Sequence, residues 1–203
     1  EGLLTLYQTA FEERFFVAAR ELADAILDHF EAPEGGFFDT ADDAEALMAR
    51  PRNLQDNAVP SGGAMATTVL LRLAALTGEQ RYRDAAERAL VPIVSVAAQH
   101  PSGFAHWLSA YALASAPFDE IAIVGDLAED DTKALLAAAR EGYRPNQVIA
   151  LSADPASSAV PLLQDRAMVD GAATAYLCRG FACQRPTTDP AELSRQLEAA
   201  RSA

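Results

Sequence analysis

The sequence is short of cysteine, of basic residues and of long apolar runs, and each shortage excludes a class of protein. Two cysteines among 203 residues cannot form the disulfide framework of a secreted scaffold, so a reducing cytoplasmic location is expected. Only 16 basic residues stand against 29 acidic ones, and the net charge of −13 argues against nucleic-acid or anionic-membrane partners. No run approaches the roughly 20 apolar residues of a membrane span. The first residues also lack the basic start of a signal peptide.

Helical periodicity dominates the first 117 residues. Residues 12–30 carry apolar side chains at three- and four-residue spacing, namely Phe15, Ala19, Leu22, Ile26 and Phe30. Residues 80–99 repeat the pattern, and Pro92 within them predicts a kink. A further helix is predicted over residues 103–115, and residues 3–7 are typical of the last turns of a helix. These predictions define an all-helical domain over residues 1–117.

The stretch from residue 56 to residue 78 is predicted to contain a turn-rich lead-in followed by the central, buried helix. Ser61 after a proline is a suitable N-cap, and Gly78 can take the left-handed conformation that ends a helix. The helix between them is apolar on nearly every side, which is typical of a buried helix. Its first turn is small, with glycines at 62 and 63, and the free backbone N–H groups there favour an anion or a hydroxyl-rich ligand.

After Pro117 the pattern changes to short β-branched runs. Strands are predicted at residues 121–124, 147–151 and 174–178, with a helix at 131–142 between the first two. Asp189-Pro190-Ala191-Glu192 has the form of a capping box and opens a last helix to about residue 200. Strand–helix–strand spacing indicates a parallel unit. Residues 118–203 are therefore expected to form a small α/β subdomain.

Three motifs resemble the YyaL-like family of spermatogenesis-associated thioredoxin-domain-containing proteins. They are GGFFDT at 35–40, DNAVPSGGAM at 56–65, and CxxxxCxxPxTDPxEL at 178–193. Family members usually read PSGN where this chain reads PSGG, so the asparagine is absent here. The resemblance implies a thioredoxin-like domain followed by an (α/α) toroid of the six-hairpin type. The expected fold is thus mainly α: part of that toroid, incomplete, followed by the α/β subdomain, in a fragment of a longer chain.

Asp39 and Asp56 are the candidate catalytic residues. The resemblance implies that such loop carboxylates open onto the toroid cavity, where a pair of acids could act on a glycoside or in a sugar isomerisation. Asn57, Ser61, Gly62 and Trp107 are the candidate ligand-binding residues, Trp107 as a platform on which a sugar stacks. The alternative for each acid is a turn or loop bond, and for Trp107 a place in the core.

Cys178 and Cys183 are too few for a zinc site and are not spaced as CxxC. The expectation from the residues is a buried strand cysteine and a loop cysteine, both reduced. Both positions match the family pattern, and the resemblance keeps a disulfide or a role as partner of a thioredoxin-like domain open. Gly125-Asp126 lies between a strand and a helix, where a phosphate could bind, but no GxGxxG or Walker lysine supports a nucleotide site.

Three functions stay open. The first is sugar binding or turnover, as in glycosidases and N-acylglucosamine epimerases, which the family's toroid resembles. The second is a non-catalytic scaffold that serves the thioredoxin-like domain of the full-length chain. The third is a nucleotide-binding α/β module at Gly125. No metal or cofactor is predicted, and a helical layer with about two hairpins is expected to expose apolar flanks and self-associate.

Overall fold

The structure is a computed structural model that describes residues 1–45 and 49–199. Over these residues it contains eight α-helices and one four-stranded sheet. The helices are α1 Gly2–Ala10, α2 Glu13–His29, α3 Gly62–Thr77, α4 Gln80–Leu90, α5 Val94–Gln99, α6 Ala105–Ala114, α7 Asp130–Arg140 and α8 Pro190–Ala199. The strands are β1 Asp119–Val124, β2 Gln147–Ser152, β3 Thr174–Arg179 and β4 Ala182–Cys183. The predicted order, helices first and a small sheet afterwards, is confirmed for the described residues.

The chain divides into two compact units. The helical unit contains residues Glu1–Leu4, Val17–Ala74 and Glu79–Ala116. The α/β unit contains Thr5–Phe16, Ala75–Gly78 and the residues from Pro117 onward.

Helix α3 forms the core of the helical unit, as its apolar sequence predicts. Leu70, Leu71 and Leu73 are fully buried, and even Thr67 and Thr68 are buried, with hydroxyls that donate to the Gly63 and Ala64 carbonyls. A buried hydroxyl that is hydrogen-bonded to the helix backbone does not leave an unsatisfied polar group in the core. The predicted N-cap is confirmed, because the Ala64 N–H donates to Ser61 Oγ at 3.3 Å.

Helices α2 and α4 are joined by a polar network as well as by apolar packing. The Tyr82 hydroxyl donates to Asp24 Oδ1 at 2.5 Å, and Arg81 pairs with the same oxygen at 2.8 Å. Burial, together with that hydrogen bond, raises the pKa of Tyr82 to about 12. Arg20 reaches across to Glu79 at 2.6 Å. These bonds fix the two helices side by side.

Pro92 interrupts the helical path rather than kinking it. Helix α4 ends at Leu90, three residues form a turn, and α5 begins at Val94. A proline has no N–H to donate and its ring collides with the carbonyl four residues earlier, so the last bonds of a helix are lost there. The expected kink is therefore replaced by two shorter helices.

The sheet of the α/β unit has the strand order β2-β1-β3-β4. Strands β1 and β2 are parallel and are connected through α7, as predicted, whereas β3 runs antiparallel to β1. Strand β1 is buried along its whole length, which explains its continuous apolar run. Helices α7 and α8 supply the other side of the core, which includes Ile121, Ile123, Leu135, Leu151, Leu177, Leu193 and Leu197.

Candidate functional site

A polar pocket lies at the N-terminal ends of α3 and α6, within the helical unit. Its volume is about 290 Å³, and it is lined by Asp56, Asn57, Ala58, Val59, Pro60, Ser102, Ala105, His106 and Ser109. Two short segments supply these residues: the loop that leads into α3, and the start of α6 with the turn before it. Backbone N–H groups that lack a partner within the helix collect at such ends, which suits a polar ligand.

Asp56 holds the two walls of this pocket together. Its Oδ1 accepts a hydrogen bond from the Ser61 N–H at 2.8 Å, and its Oδ2 accepts one from the His106 N–H at 2.8 Å. One carboxylate therefore binds N–H groups at the start of both α3 and α6. The Asp56 N–H itself donates to the Gly103 carbonyl at 2.8 Å, which fixes the loop from a third direction.

Asp39 is placed on a different segment and does not line the pocket. Its Oδ2 accepts a hydrogen bond from the Asn53 N–H at 2.8 Å, and its own N–H donates to the Pro51 carbonyl at 2.9 Å. The side chain is exposed. Of the residues predicted to form the site, Asp56 and Asn57 line the pocket together, whereas Asp39, Ser61, Gly62 and Trp107 are not among its lining residues.

Trp107 belongs to the core of the helical unit. Its side chain is buried, and Nε1 donates to the Leu54 carbonyl at 2.8 Å. A Cβ at Gly63 would lie 3.0 Å from the indole ring, so this glycine gives the ring its space against α3. The neighbouring His106 faces the pocket, with Nε2 at 3.3 Å from Thr68 Oγ1.

Sequence reasoning missed Ser102 and Ser109 as lining residues of the pocket. A signal was present, because Ser102, Ala105, His106 and Ser109 follow the three- and four-residue spacing of one helical face. The three polar members of that set face the pocket and widen its hydrogen-bonding surface.

The structure corrects the expectation that the two cysteines are reduced. Cys178 and Cys183 form a disulfide. They lie directly opposite each other on β3 and β4, because a two-residue turn at Gly180-Phe181 pairs residue 178 with residue 183. Both turn residues have positive φ, +56° and +63°, the conformation of the tight turns that match strand twist.

A second cavity, of about 580 Å³, lies beside this disulfide in the α/β unit. It is lined by Thr77, Pro161, Gln164, Asp165, Arg166, Tyr176, Phe181, Cys183, Gln184 and Pro186. Arg166 is the cation of this site, and its Nη2 lies 3.3 Å from Cys178 Sγ and 3.2 Å from Cys183 Sγ.

Gly125 follows β1 in a tightly packed turn. A Cβ at this position would collide with Thr132 Oγ1 and lie 2.9 Å from the Ala173 Cβ. Asp131 on α7 accepts hydrogen bonds from the Ala173 and Thr132 N–H groups, and these bonds lower the pKa of its carboxyl. Glycine is required here by close packing, as in a plain strand-to-helix turn.

One group of residues at the end of α2 could hold a cation. His29 Nδ1 and carboxylate oxygens of Asp42 and Asp43 lie within 4.8 Å of one another, in an open position. His29 Nδ1 is 2.9 Å from Asp42 Oδ1 and 3.9 Å from Asp43 Oδ2. The hydrogen bond to Asp42, followed by the charge of Asp43, raises the pKa of His29, and the same bond lowers the pKa of Asp42.

The contribution of the His29–Asp42 pair to the stability of the fold is expected to depend on pH and to be lost at both high and low pH. A raised histidine pKa gives stability that is complete below about pH 6.5 and disappears as the pH rises through the folded-state value. A lowered aspartate pKa gives stability that is complete above about pH 4 and disappears as the pH falls through its own folded-state value. The contribution of the pair is therefore largest between about pH 4 and pH 6.5. In an NMR titration, Asp42→Asn should lower the His29 midpoint, and Asp43→Asn should lower it less. Equal midpoints in the wild type and Asp42→Asn would contradict the pairing.

None of the described helices combines the length and apolarity that crossing a membrane requires. The chain matches three curated mammalian proteins, Spermatogenesis-associated protein 20 of Homo sapiens, Mus musculus and Rattus norvegicus. All three are 32% identical to this chain, over 202 residues for the human and mouse proteins and 203 residues for the rat protein. The match covers 97% of this chain but 26% of each relative, so the chain spans about a quarter of their length. No family model matches the chain.

Proposed function

We propose that this chain corresponds to the C-terminal part of a larger protein of the spermatogenesis-associated type. Its helical unit would be a portion of an (α/α) toroid whose polar pocket binds a small, hydroxyl-rich ligand of the sugar class. The similarity to Spermatogenesis-associated protein 20 over 97% of the chain supports the first statement. The polar lining of the pocket at two helix N-termini supports the second.

The observation that carries the proposal is the bonding of Asp56. Both of its oxygens accept backbone N–H groups, so the carboxylate is already committed to holding the pocket walls. A general acid or base must exchange a proton with the reacting group, and protonating Asp56 would weaken one of these bonds. The exposed Asp39 is bonded to a backbone N–H as well and does not line the pocket. The arrangement therefore supports ligand binding more than catalysis by these two acids.

Asn57, His106, Ser102 and Ser109 are the side chains that would meet the ligand. Amide, imidazole and hydroxyl groups both donate and accept hydrogen bonds, as the hydroxyls of a sugar require. Asn57 is the best residue for a test, because its side chain is exposed at the pocket wall and Asp56, rather than Asn57, holds the helices in place.

The test is a titration with monosaccharides, namely glucose, mannose and N-acetylglucosamine at millimolar concentrations. A sugar that binds only the native state should raise the melting temperature, and the rise should grow with the logarithm of its concentration once that concentration exceeds its Kd. Asn57→Ala should weaken binding by about 3–10-fold, the loss expected for one or two hydrogen bonds. Gln99→Ala, an exposed amide that does not line the pocket, is the matched control and should bind as the wild type does.

Two results would contradict the proposal. One is a melting temperature and an amide NMR spectrum that none of the three sugars changes. The other is binding that Asn57→Ala and Gln99→Ala affect equally.

A further inference from the structure

The two sulfurs of the disulfide in the β3–β4 hairpin differ in their exposure to solvent. Cys178 is 1% exposed and lies within the sheet, whereas Cys183 is on the exposed edge strand and lines the cavity of the α/β unit. A reagent in that cavity can therefore reach Cys183 but not Cys178. The same geometry decides which sulfur is attacked and which one leaves.

Arg166 places a cation against both sulfurs. Its Nη2 lies within 3.3 Å of each, and its guanidinium stands 5.7 Å from the Tyr176 ring centre. The other hydrogen bond of Arg166 in the described part of the chain goes to the Gln164 carbonyl. No carboxylate in that part therefore pairs directly with the guanidinium. A cation at this distance stabilises a thiolate and lowers its pKa.

We propose that Cys178–Cys183 is a thiol–disulfide exchange site for a dithiol reductant, with Arg166 as the catalytic residue that stabilises the leaving thiolate. A thiolate of the reductant attacks Cys183 Sγ, a new S–S bond forms to Cys183, and the Cys178–Cys183 bond breaks. The electron pair of that bond goes to Cys178, which leaves as a thiolate beside Arg166. The second thiol of the reductant, once deprotonated, attacks its own sulfur in the mixed disulfide and releases the Cys183 thiolate. One protein disulfide and one dithiol thus become one protein dithiol and one disulfide of the reductant.

A dithiol fits this site better than a monothiol does. After the first step Cys178 stays opposite Cys183 in the hairpin, where it can attack the mixed disulfide and expel a monothiol again. The second thiol of a dithiol competes with that return, because it is already attached to the bond that must break. This inference is independent of sugar binding, since it concerns residues of the α/β unit alone.

The first experiment measures reduction of the oxidised native protein by dithiothreitol at neutral pH. Arg166→Gln should reduce the rate by about tenfold, because the leaving thiolate loses its cation. Arg185→Gln is the matched control, since this exposed arginine lies two residues beyond Cys183, whereas in the described part of the chain it is Arg166 that donates to the two sulfurs. Arg166→Lys keeps the charge and should recover most of the rate. Circular dichroism before and after reduction establishes that each variant is folded.

The second experiment uses the reduced protein and identifies the thiolate. The pH midpoint of alkylation of Cys183 by iodoacetamide should lie below the usual thiol value of about 8.5, because Arg166 Nη2 lies 3.2 Å from this accessible sulfur. It should rise by about one unit in Arg166→Gln. Brief treatment of the oxidised wild type with glutathione, followed by acid quenching and peptide mass spectrometry, should place the adduct on Cys183. Reduction that occurs only in denaturant, an adduct on Cys178, or equal rates in Arg166→Gln and Arg185→Gln would overturn the proposal.

Discussion

Replacing Asp56 by alanine is expected to lower the free energy of unfolding by about 2–4 kcal/mol, because two hydrogen bonds to a charged acceptor are lost at once. The Ser61 and His106 N–H groups that it binds belong to the starts of α3 and α6. Neither group has a partner within its own helix, so each must find water or stay unsatisfied. The side chain is only partly buried, which keeps the expected loss below that of a fully buried network. Urea unfolding followed by circular dichroism measures the loss.

Two further variants separate the bonds of Asp56 from a general effect of lost charge. Asp56→Asn keeps one acceptor oxygen and should lose about half as much stability as alanine does. Asp39→Ala removes one bond from an exposed loop carboxylate and should cost about 1 kcal/mol or less. A loss in Asp56→Ala no larger than that in Asp39→Ala would contradict the role of Asp56 as a link between two helices.

The positions of the helices could be predicted well because their causes are local. Apolar spacing, the Ser61 cap and the glycine at 78, which has φ of +72°, give the bounds of α3 to within one residue. The residues that a helix buries could be predicted less well than its bounds. In α2 the buried residues are Phe16, Ala19 and Ala23, whereas Leu22, a member of the apolar stripe identified in the sequence, is 59% exposed. The periodicity of the sequence identifies the apolar stripe of a helix, but packing against neighbouring elements determines which residues of that stripe are buried.

The pocket could be predicted only in part because its contacts are distant in sequence. The bond between Asp56 and Ser61 spans five residues and follows from the turn before α3, so the loop signals indicate it. The bond between Asp56 and His106 spans 50 residues, and no local pattern reports it. The expectation that Asp39 shares one pocket with Asp56 required the same kind of distant information, and the structure places Asp39 against Asn53 instead.

The disulfide could have been predicted from the hairpin that contains it. A two-residue turn places residues five apart directly across two strands, and CRGFAC has that spacing with a glycine at the turn. The prediction of a single strand ending at Cys178 stopped one turn too early, because β4 contains only two residues. Such a short edge strand has no apolar alternation of its own to reveal it.

Glu120 is expected to be the residue on which this hairpin depends most. It is 4% exposed, and its two carboxylate oxygens accept the Gly180 N–H at 3.0 Å and the Phe181 N–H at 2.8 Å. Both N–H groups belong to the turn that connects β3 to β4, and the positive φ of the turn residues aims them at one acceptor. A buried carboxylate thus compensates for its own desolvation through two bonds to the turn.

Glu120→Ala should therefore lower the free energy of unfolding by about 3 kcal/mol or more, since it leaves two donors unsatisfied and opens a cavity in the sheet. Glu129→Ala, an exposed glutamate before α7 with no side-chain capping bond, is the control and should change stability by less than about 0.5 kcal/mol. Hydrogen exchange gives the local measurement, because the Gly180 and Phe181 amides should lose protection in Glu120→Ala even under conditions where the sheet stays folded. Unchanged protection of those two amides would show that the turn holds its shape without the carboxylate, and that the hairpin positions its sulfurs by strand pairing alone.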